Sequence, residues 1–313
     1  MAAILVFSER DEVAFQLLGE ANKLGEQLGM EVAAAALGLS DADGFLSRGV
    51  STVYTAKNEE LKDFEASVYA QALEQVAKQA DAAIILLGST RRGKELAGRL
   101  AQKMKVGSLT DAGRLEVIDG RVVCSRNAFG GATVAAQTIL EGIQVIAVSP
   151  SAGEAPAAAE PSGSVAEVAL VLEPARIKKV ATAPKSQDSA NIEGAEVLVC
   201  VGKGLAGEAE LKMVDELAQA LGGLVACTKP LATDEKWLPE ERIVGLSGKI
   251  GKPALAICLG ISGQVQFTVG IRDAGTIVAV NTDQNAFIFQ MADYGIVGDL
   301  HQVVPELTAA LKG

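Results

Sequence analysis

The chain has 313 residues, enough for two domains of ordinary size, each with its own core. Aromatic residues are only 4% against 49% hydrophobic overall, so the cores must be built from Ala, Val, Leu and Ile. This suits a Val/Ile-rich parallel sheet flanked by Ala-rich helices and disfavours a sandwich or a coiled coil. The 28 basic and 39 acidic side chains, formal net charge -11, argue against broad binding to a phosphate backbone, so no nucleic-acid partner is expected. Cys124, Cys200, Cys227 and Cys258 stand singly in apolar runs without CxxC spacing and are expected to be buried, reduced thiols. Ala2 to Phe7 is too short, and too soon followed by charge, for a signal peptide. No apolar run approaches the length of a membrane span. The expectation is a soluble cytoplasmic chain without direct membrane insertion, or a mitochondrial-matrix chain if a transit peptide has been removed.

In chain order, Ile4 to Phe7 is predicted as a strand, Val13 to Leu28 as an amphipathic helix and Val32 to Leu37 as a second strand. Thr52 to Thr55, the helical Leu61 to Gln79 and the apolar Ala83 to Leu87 repeat the rhythm, which implies a doubly wound parallel sheet. Gly88-Ser-Thr-Arg-Arg-Gly-Lys-Glu95 has most of a phosphate-binding P-loop, but Glu95 stands where a magnesium-holding hydroxyl is needed. The favoured reading is a strand-to-helix turn, with Ser89 or Thr90 capping a helix to about Lys105. Arg114 to Asn127 is predicted as a hairpin turning at Asp119-Gly120 in type I′ geometry. Ile143 to Val148 restores a buried strand. After a Pro/Ala/Ser-rich loop over 149–163, Val165 to Leu172 and Ile177 to Thr182 are predicted as further strands. The polar, aperiodic stretch over 183–190 marks the boundary between domains 1–189 and 190–313.

In the second domain, the strand Glu196 to Val201 runs into Gly202-Lys-Gly-Leu-Ala-Gly207 and a helix over Glu210 to Leu221, formally GxGxxG in its proper setting. A dinucleotide site of the NAD type also wants an acid after the next strand, yet Leu224 to Cys227 ends in Thr228-Lys229-Pro230. Ala254 to Leu259 and Thr276 to Val280 are predicted as buried strands with a ligand between them. Gly260 and Gly263 let the backbone approach a bound group, and Ser262 with the amides that follow can face an anion, for which pyrophosphate is the natural candidate. Asn281, Thr282 and Asp283 stand at the carboxyl end of the second strand, where a ribose or adenine would find acceptors.

Leu259-Gly-Ile-Ser-Gly-Gln-Val-Gln266, Ile277-Val-Ala-Val-Asn281 and Ala292-Asp-Tyr-Gly-Ile-Val-Gly-Asp-Leu300 occur in the expected order, and together they resemble the FAD-binding signature of the electron transfer flavoprotein alpha subunit. The resemblance implies two doubly wound domains with mainly parallel sheets, the C-terminal one Rossmann-like and FAD-binding. It places Ser262, Gly263, Gln264, Val265 and Gln266 at the pyrophosphate and flavin edge, and Asn281, Asp299 and Leu300 toward the adenosine end. Helix capping is the alternative role for Asn281 and Asp299. Lys203 matches a basic residue that approaches FAD, with a solvated loop lysine as the alternative. Thr228 and Lys229 match a Ser-Arg pair whose arginine lies over the flavin, so Lys229 retains the charge without the planar fork and would raise the flavin potential, with a surface lysine in a loop before Trp237 as the alternative. Val244-Gly245-Leu246-Ser247 matches a segment with Gln-Thr in place of Leu246-Ser247, so Ser247 keeps a hydroxyl near flavin N5 while Leu246 offers only its backbone. Phe267 replaces a histidine that hydrogen-bonds near N1 and O2, which implies weaker stabilisation of negative charge at that edge.

The implied function is that of an electron carrier rather than a substrate-converting enzyme, taking electrons from a reduced dehydrogenase to an acceptor oxidoreductase and working as a heterodimer with a homologous beta subunit. Lys229-Pro-Leu231, Gln264 and Phe267 lean toward the FixB-like branch associated with anaerobic or fixation-type systems, and electron bifurcation is an alternative within the family. Beside these stand an NAD-dependent oxidoreductase using the Gly202 loop and an adenine-nucleotide-binding regulatory module in the first domain. With one histidine in the chain, His301, no hydrolytic triad can be assembled, and no metal-ligand cluster is apparent. His301 reads as an ordinary helix-start residue.

Overall fold

Alternation of short apolar strands with amphipathic helices gives two parallel sheets, each covered by helices. The computed structural model describes residues 2–38, 40–129, 133–177, 179–181 and 191–312. The chain divides into compact units 1–182 and 183–313, and the boundary expected over 183–190 lies outside the described residues.

The first unit runs β1 (Ala3–Phe7), α1 (Asp11–Leu28), β2 (Glu31–Leu37), α2 (Ala42–Leu46), β3 (Thr52–Ala56), α3 (Ala66–Gln79), β4 (Ala82–Gly88), α4 (Arg91–Met104) and β5 (Ser108–Ala112). It continues through β6 (Arg114–Ile118), β7 (Arg121–Ala128), β8 (Thr133–Thr138), β9 (Gln144–Val148) and β10 (Ser164–Glu167). The main sheet has the order β10-β3-β2-β1-β4-β9-β5, with every neighbouring pair parallel. All five residues of β1 are buried, because helices cover both faces of the sheet. Leu5 and Phe7 share one core with residues of α3 and α4, while Ile4 and Val6 share the other with residues of α1.

The P-loop-like turn proves structural. The Thr90 hydroxyl accepts the Gly93 N–H at 2.9 Å and donates to Glu9 at 2.6 Å, while Lys94 pairs with Asp111 and Glu95 with Arg99. Thr90→Ala is expected to cost about 1 kcal/mol, the usual worth of an N-cap, as read from the urea midpoint at unchanged slope. The hairpin turns as expected, with Asp119 at φ 50 and Gly120 at φ 73. A third antiparallel strand, β8, extends it and was not anticipated, because most of its residues are exposed and leave no inside-outside alternation to read.

Two expected elements are corrected. The helix predicted from Leu61 begins at Ala66, where the Glu65 carboxylate accepts the Val68 N–H at 2.9 Å and fixes the start. The strand over Val165 to Leu172 stops at Glu167, and none is present among the described residues 177 and 179–181. Beyond Val168 the backbone instead bonds to side chains. Gln75 both donates to Val171 O and accepts its N–H, and Gln71 and Glu60 accept from the amides of Glu173 and Ala175. These side chains satisfy the backbone groups that a ladder would otherwise pair.

The second unit comprises β11 (Val197–Val201), α5 (Leu211–Ala220), β12 (Leu224–Cys227), α6 (Lys229–Thr233), β13 (Leu255–Leu259), α7 (Val265–Thr268), β14 (Thr276–Asn281), β15 (Tyr294–Val297) and α8 (Leu300–Lys312). Its five parallel strands have the order β12-β11-β13-β14-β15. Val199, Val201, Leu259 and Val280 join one core with α5 and α8, and Cys200, Cys258 and Ala279 join the other. All four cysteines are free and buried, as expected. Among the described residues, no helix is long and apolar enough to cross a membrane.

Candidate functional site

In the second sheet the chain passes from β11 outward to β12, then returns to β13 on the other side. The carboxyl ends of β11 and β13 therefore form the crossover point where open α/β sheets bind ligands. The loops leaving these strands lie backbone on backbone. Gly204 N–H donates to Gly260 O at 3.1 Å, and a Cβ on Gly260 would stand 2.5 Å from Gly204 Cα. Gly263, at φ +85, lies against the 286–288 segment: its Cβ would be 2.1 Å from Ile288 N, whose N–H donates to Ser262 O.

This path leaves five successive amides, Ser262 to Gln266, without an acceptor among the described residues. Ser262, Gln264, Val265 and Gln266 are exposed beside them. A run of unpaired donors at the end of a parallel strand is the chemistry that a phosphate needs.

The other residues singled out in the sequence take distinct places around this edge. Thr228 N–H donates to Val201 O at 3.0 Å, and Lys229 is exposed in the first turn of α6 without an ion-pair partner among the described residues. Lys203 pairs with Glu235 at 3.5 Å. Val244 is buried and donates to Cys227 O, while Leu246 N–H donates to Gln266 O at 2.7 Å, tying this segment to the Ser262–Gln266 run. Leu246 and Ser247 are exposed.

Asn281 Nδ2 donates to Ile261 O at 2.9 Å and its Oδ1 accepts the Asp283 N–H, so its amide props the loop. The Asp299 carboxylate accepts the His301 N–H at 2.9 Å and caps α8. Leu300 is buried, its side chain lying near the contact between Gly204 and Gly260. Phe267 is only 6% exposed and belongs to the apolar core with Val244, Ile261, Ile271 and Ile288.

Sequence reasoning missed a charged cluster at the same edge. His301 Nε2 lies 2.9 Å from Glu210 Oε2, and its Nδ1 lies 2.6 Å from Asp299 Oδ1. Hydrogen bonds to Glu210 and then Asp299 raise the imidazole above its ordinary range, and hydrogen bonding to His301 lowers both carboxyls. The readable signal was the only histidine beside Asp299. Glu210 lies too far away in sequence to connect with it.

A groove of ≈ 760 Å³ in this unit is lined in part by Gln264, Val265, Gln266, Arg272, Phe287 and Met291. A larger cleft of ≈ 1300 Å³ in the first unit has Glu9, Asp11, Glu12, Glu59, Asp63 and Glu65 among its lining residues. Arg10, Lys62, Arg92 and Lys179 line it too, but the acids outnumber them, so the cleft is less suited to a phosphate-bearing ligand and size alone does not locate the site.

Residues 4–173 match the electron transfer flavoprotein domain, and residues 191–272 match the electron transfer flavoprotein FAD-binding domain. The chain belongs to the electron transfer flavoprotein alpha-subunit family. YdiR of Escherichia coli strain K12, provisionally named an electron transfer flavoprotein subunit, is 35% identical over 99% of this chain and 98% of its own length. FixB of Salmonella paratyphi A is 33% identical over 99% and 98%, and FixB of Escherichia coli strain 55989 is 34% identical over 98% and 97%. FAD is the cofactor of this family, and electron transfer is its function. An alpha subunit of this kind pairs with a beta subunit. The unpaired amides at the crossover, with the exposed Lys229 at the start of α6, fit the negative diphosphate of FAD.

Proposed function

We propose that the carboxyl edge of the second sheet holds FAD and that the chain works as a cytoplasmic electron carrier paired with a beta subunit. The donor is a reduced dehydrogenase and the acceptor an oxidoreductase. The observation that carries this reading is the run of unpaired amides from Ser262 to Gln266 at the crossover between β11 and β13. In it the amides and Ser262 receive the diphosphate, Gly263 sets their path, and Gln264, Val265 and Gln266 border the flavin. Asp299 and Leu300 close the adenosine end, with Asn281 holding the loop in shape. Lys203, Thr228 and Lys229 stand on the two neighbouring strand ends, and Val244 to Ser247 lies beside Gln266.

FAD supplies the redox chemistry, and the protein's task is to hold it and set its potential. Leu246, Ile250, Val265 and Phe287 are exposed apolar side chains of this unit, as a surface covered by a partner subunit would have.

The test is co-expression with the beta subunit, followed by the visible spectrum of the purified complex before and after acid release. One FAD per complex supports the carrier reading, and two indicate a bifurcating relative. A colourless complex that cannot be reconstituted overturns the assignment. Lys229→Gln is expected to lower the flavin potential by tens of millivolts while leaving the unfolding midpoint unchanged, because it removes a solvated charge that favours electron-rich flavin. Redox titration beside a denaturant melt separates the two quantities.

A further inference from the structure

We infer that His301 is a positioning residue: as the imidazolium it clamps the Gly202–Gly207 loop to the α8 corner and so holds the FAD edge in its binding form. The inference rests on the proposed placement of FAD at that edge.

The geometry calls for a charged ring. Each ring nitrogen faces a carboxylate oxygen within hydrogen-bond distance, Nε2 toward Glu210 and Nδ1 toward Asp299. A neutral imidazole has one N–H and would set a lone pair against the second carboxylate, whereas the imidazolium donates to both. The two carboxylates come from different segments. Glu210 directly precedes α5, and the oxygen that faces His301 also accepts the Ala206 N–H at 2.8 Å. Asp299 caps α8. The ring thus joins the loop after β11 to the turn after β15, while Leu300 lies near the Gly204–Gly260 contact between them.

Glu210 and Asp299 are the charged groups acting on His301, and both attract its proton. With the ring neutral, its single N–H serves only one of the two carboxylates, so the link between Glu210 and the corner is weakened while two like charges remain beside each other. His301 has its folded-state value raised, so its contribution is full below the ordinary histidine range and fades as pH rises through the raised value. The carboxyls have lowered values, so their contribution fades as pH falls through those. The clamp is closed between these limits.

The test is the FAD dissociation constant of the heterodimer as a function of pH, read by flavin fluorescence, with the His301 titration followed by NMR. Affinity is expected to weaken roughly fivefold across the His301 titration, at the low end of typical coupling because the pair is partly exposed. His301→Gln is expected to bind at the weaker level at every pH. Glu210→Gln, whose side-chain oxygen can still accept the Ala206 N–H, is expected to flatten the profile and move the His301 titration down. His301→Gln added to Glu210→Gln should then change little. If wild type binds FAD with the same affinity across the observed His301 titration, the clamp is refuted while the FAD site stands. If wild type binds no FAD at any pH, the site assignment fails and the clamp with it.

Discussion

Gly263→Val is expected to abolish FAD retention and to destabilise the second unit by about 3 kcal/mol or more, combining backbone strain with a clash that cannot relax. Gly263 sits at φ +85, and a Cβ there would stand 2.1 Å from the Ile288 nitrogen and 2.5 Å from its Cα. Both neighbours are backbone, and Ile288 is held by the bond from its N–H to Ser262 O. Relief of the clash must displace Ser262 and the amides that follow it. Gly222 is the control, because it also has positive φ, +64, but has nothing within 4 Å of its Cβ position. Gly222→Ala is expected to lose only about 1 kcal/mol from the left-handed conformation and to keep its flavin. Urea melts and the flavin absorbance of the heterodimer give both readings. Full FAD content in Gly263→Val would show that the path of this loop does not form the site.

Phe267→Ala is expected to cost about 3–5 kcal/mol, the range for truncating a buried aromatic side chain. The ring is buried among Val244, Ile261, Ile271, Ala286 and Ile288, on the core side of the segment that presents Gln264 and Gln266 to solvent. Phe267→Leu, which keeps most of the volume, is expected to cost about 1–1.5 kcal/mol and to leave the flavin spectrum and potential unchanged. A shifted potential in the leucine variant would mean that the ring meets the flavin directly.

These two residues show how far the sequence could be read. The glycines of Leu259–Gln266 were legible as a close approach of backbone, because few other reasons place two glycines and a serine between buried strands. What they approach, the 204 and 286–288 backbones, is set by contacts between segments distant in sequence. Phe267 was legible as a departure from a pattern. Its inward direction depends on the turn at Val265 that puts Gln264, Val265 and Gln266 outside and the next two side chains in the core.

In the first unit the alternating strands and helices could be read from their apolar periodicity. The arm after Glu167 could not. Its Val-Ala-Leu-Val-Leu run has strand composition, but the helix side chains Gln71 and Gln75 take the place of a neighbouring strand. The link from His301 to Glu210 was also invisible, since it needs α5 and α8 side by side before the two residues can meet.

Hydrogen exchange of the heterodimer with and without FAD tests the central claim most directly. The amides from Ser262 to Gln266 have no acceptor among the described residues, so they should exchange quickly without the cofactor and slow sharply on its addition, with lesser protection over Gly202–Gly207. Protection confined to the first unit, around the turns that follow β1 and β4, with 262–266 unchanged, would contradict the account and move the site to the other sheet.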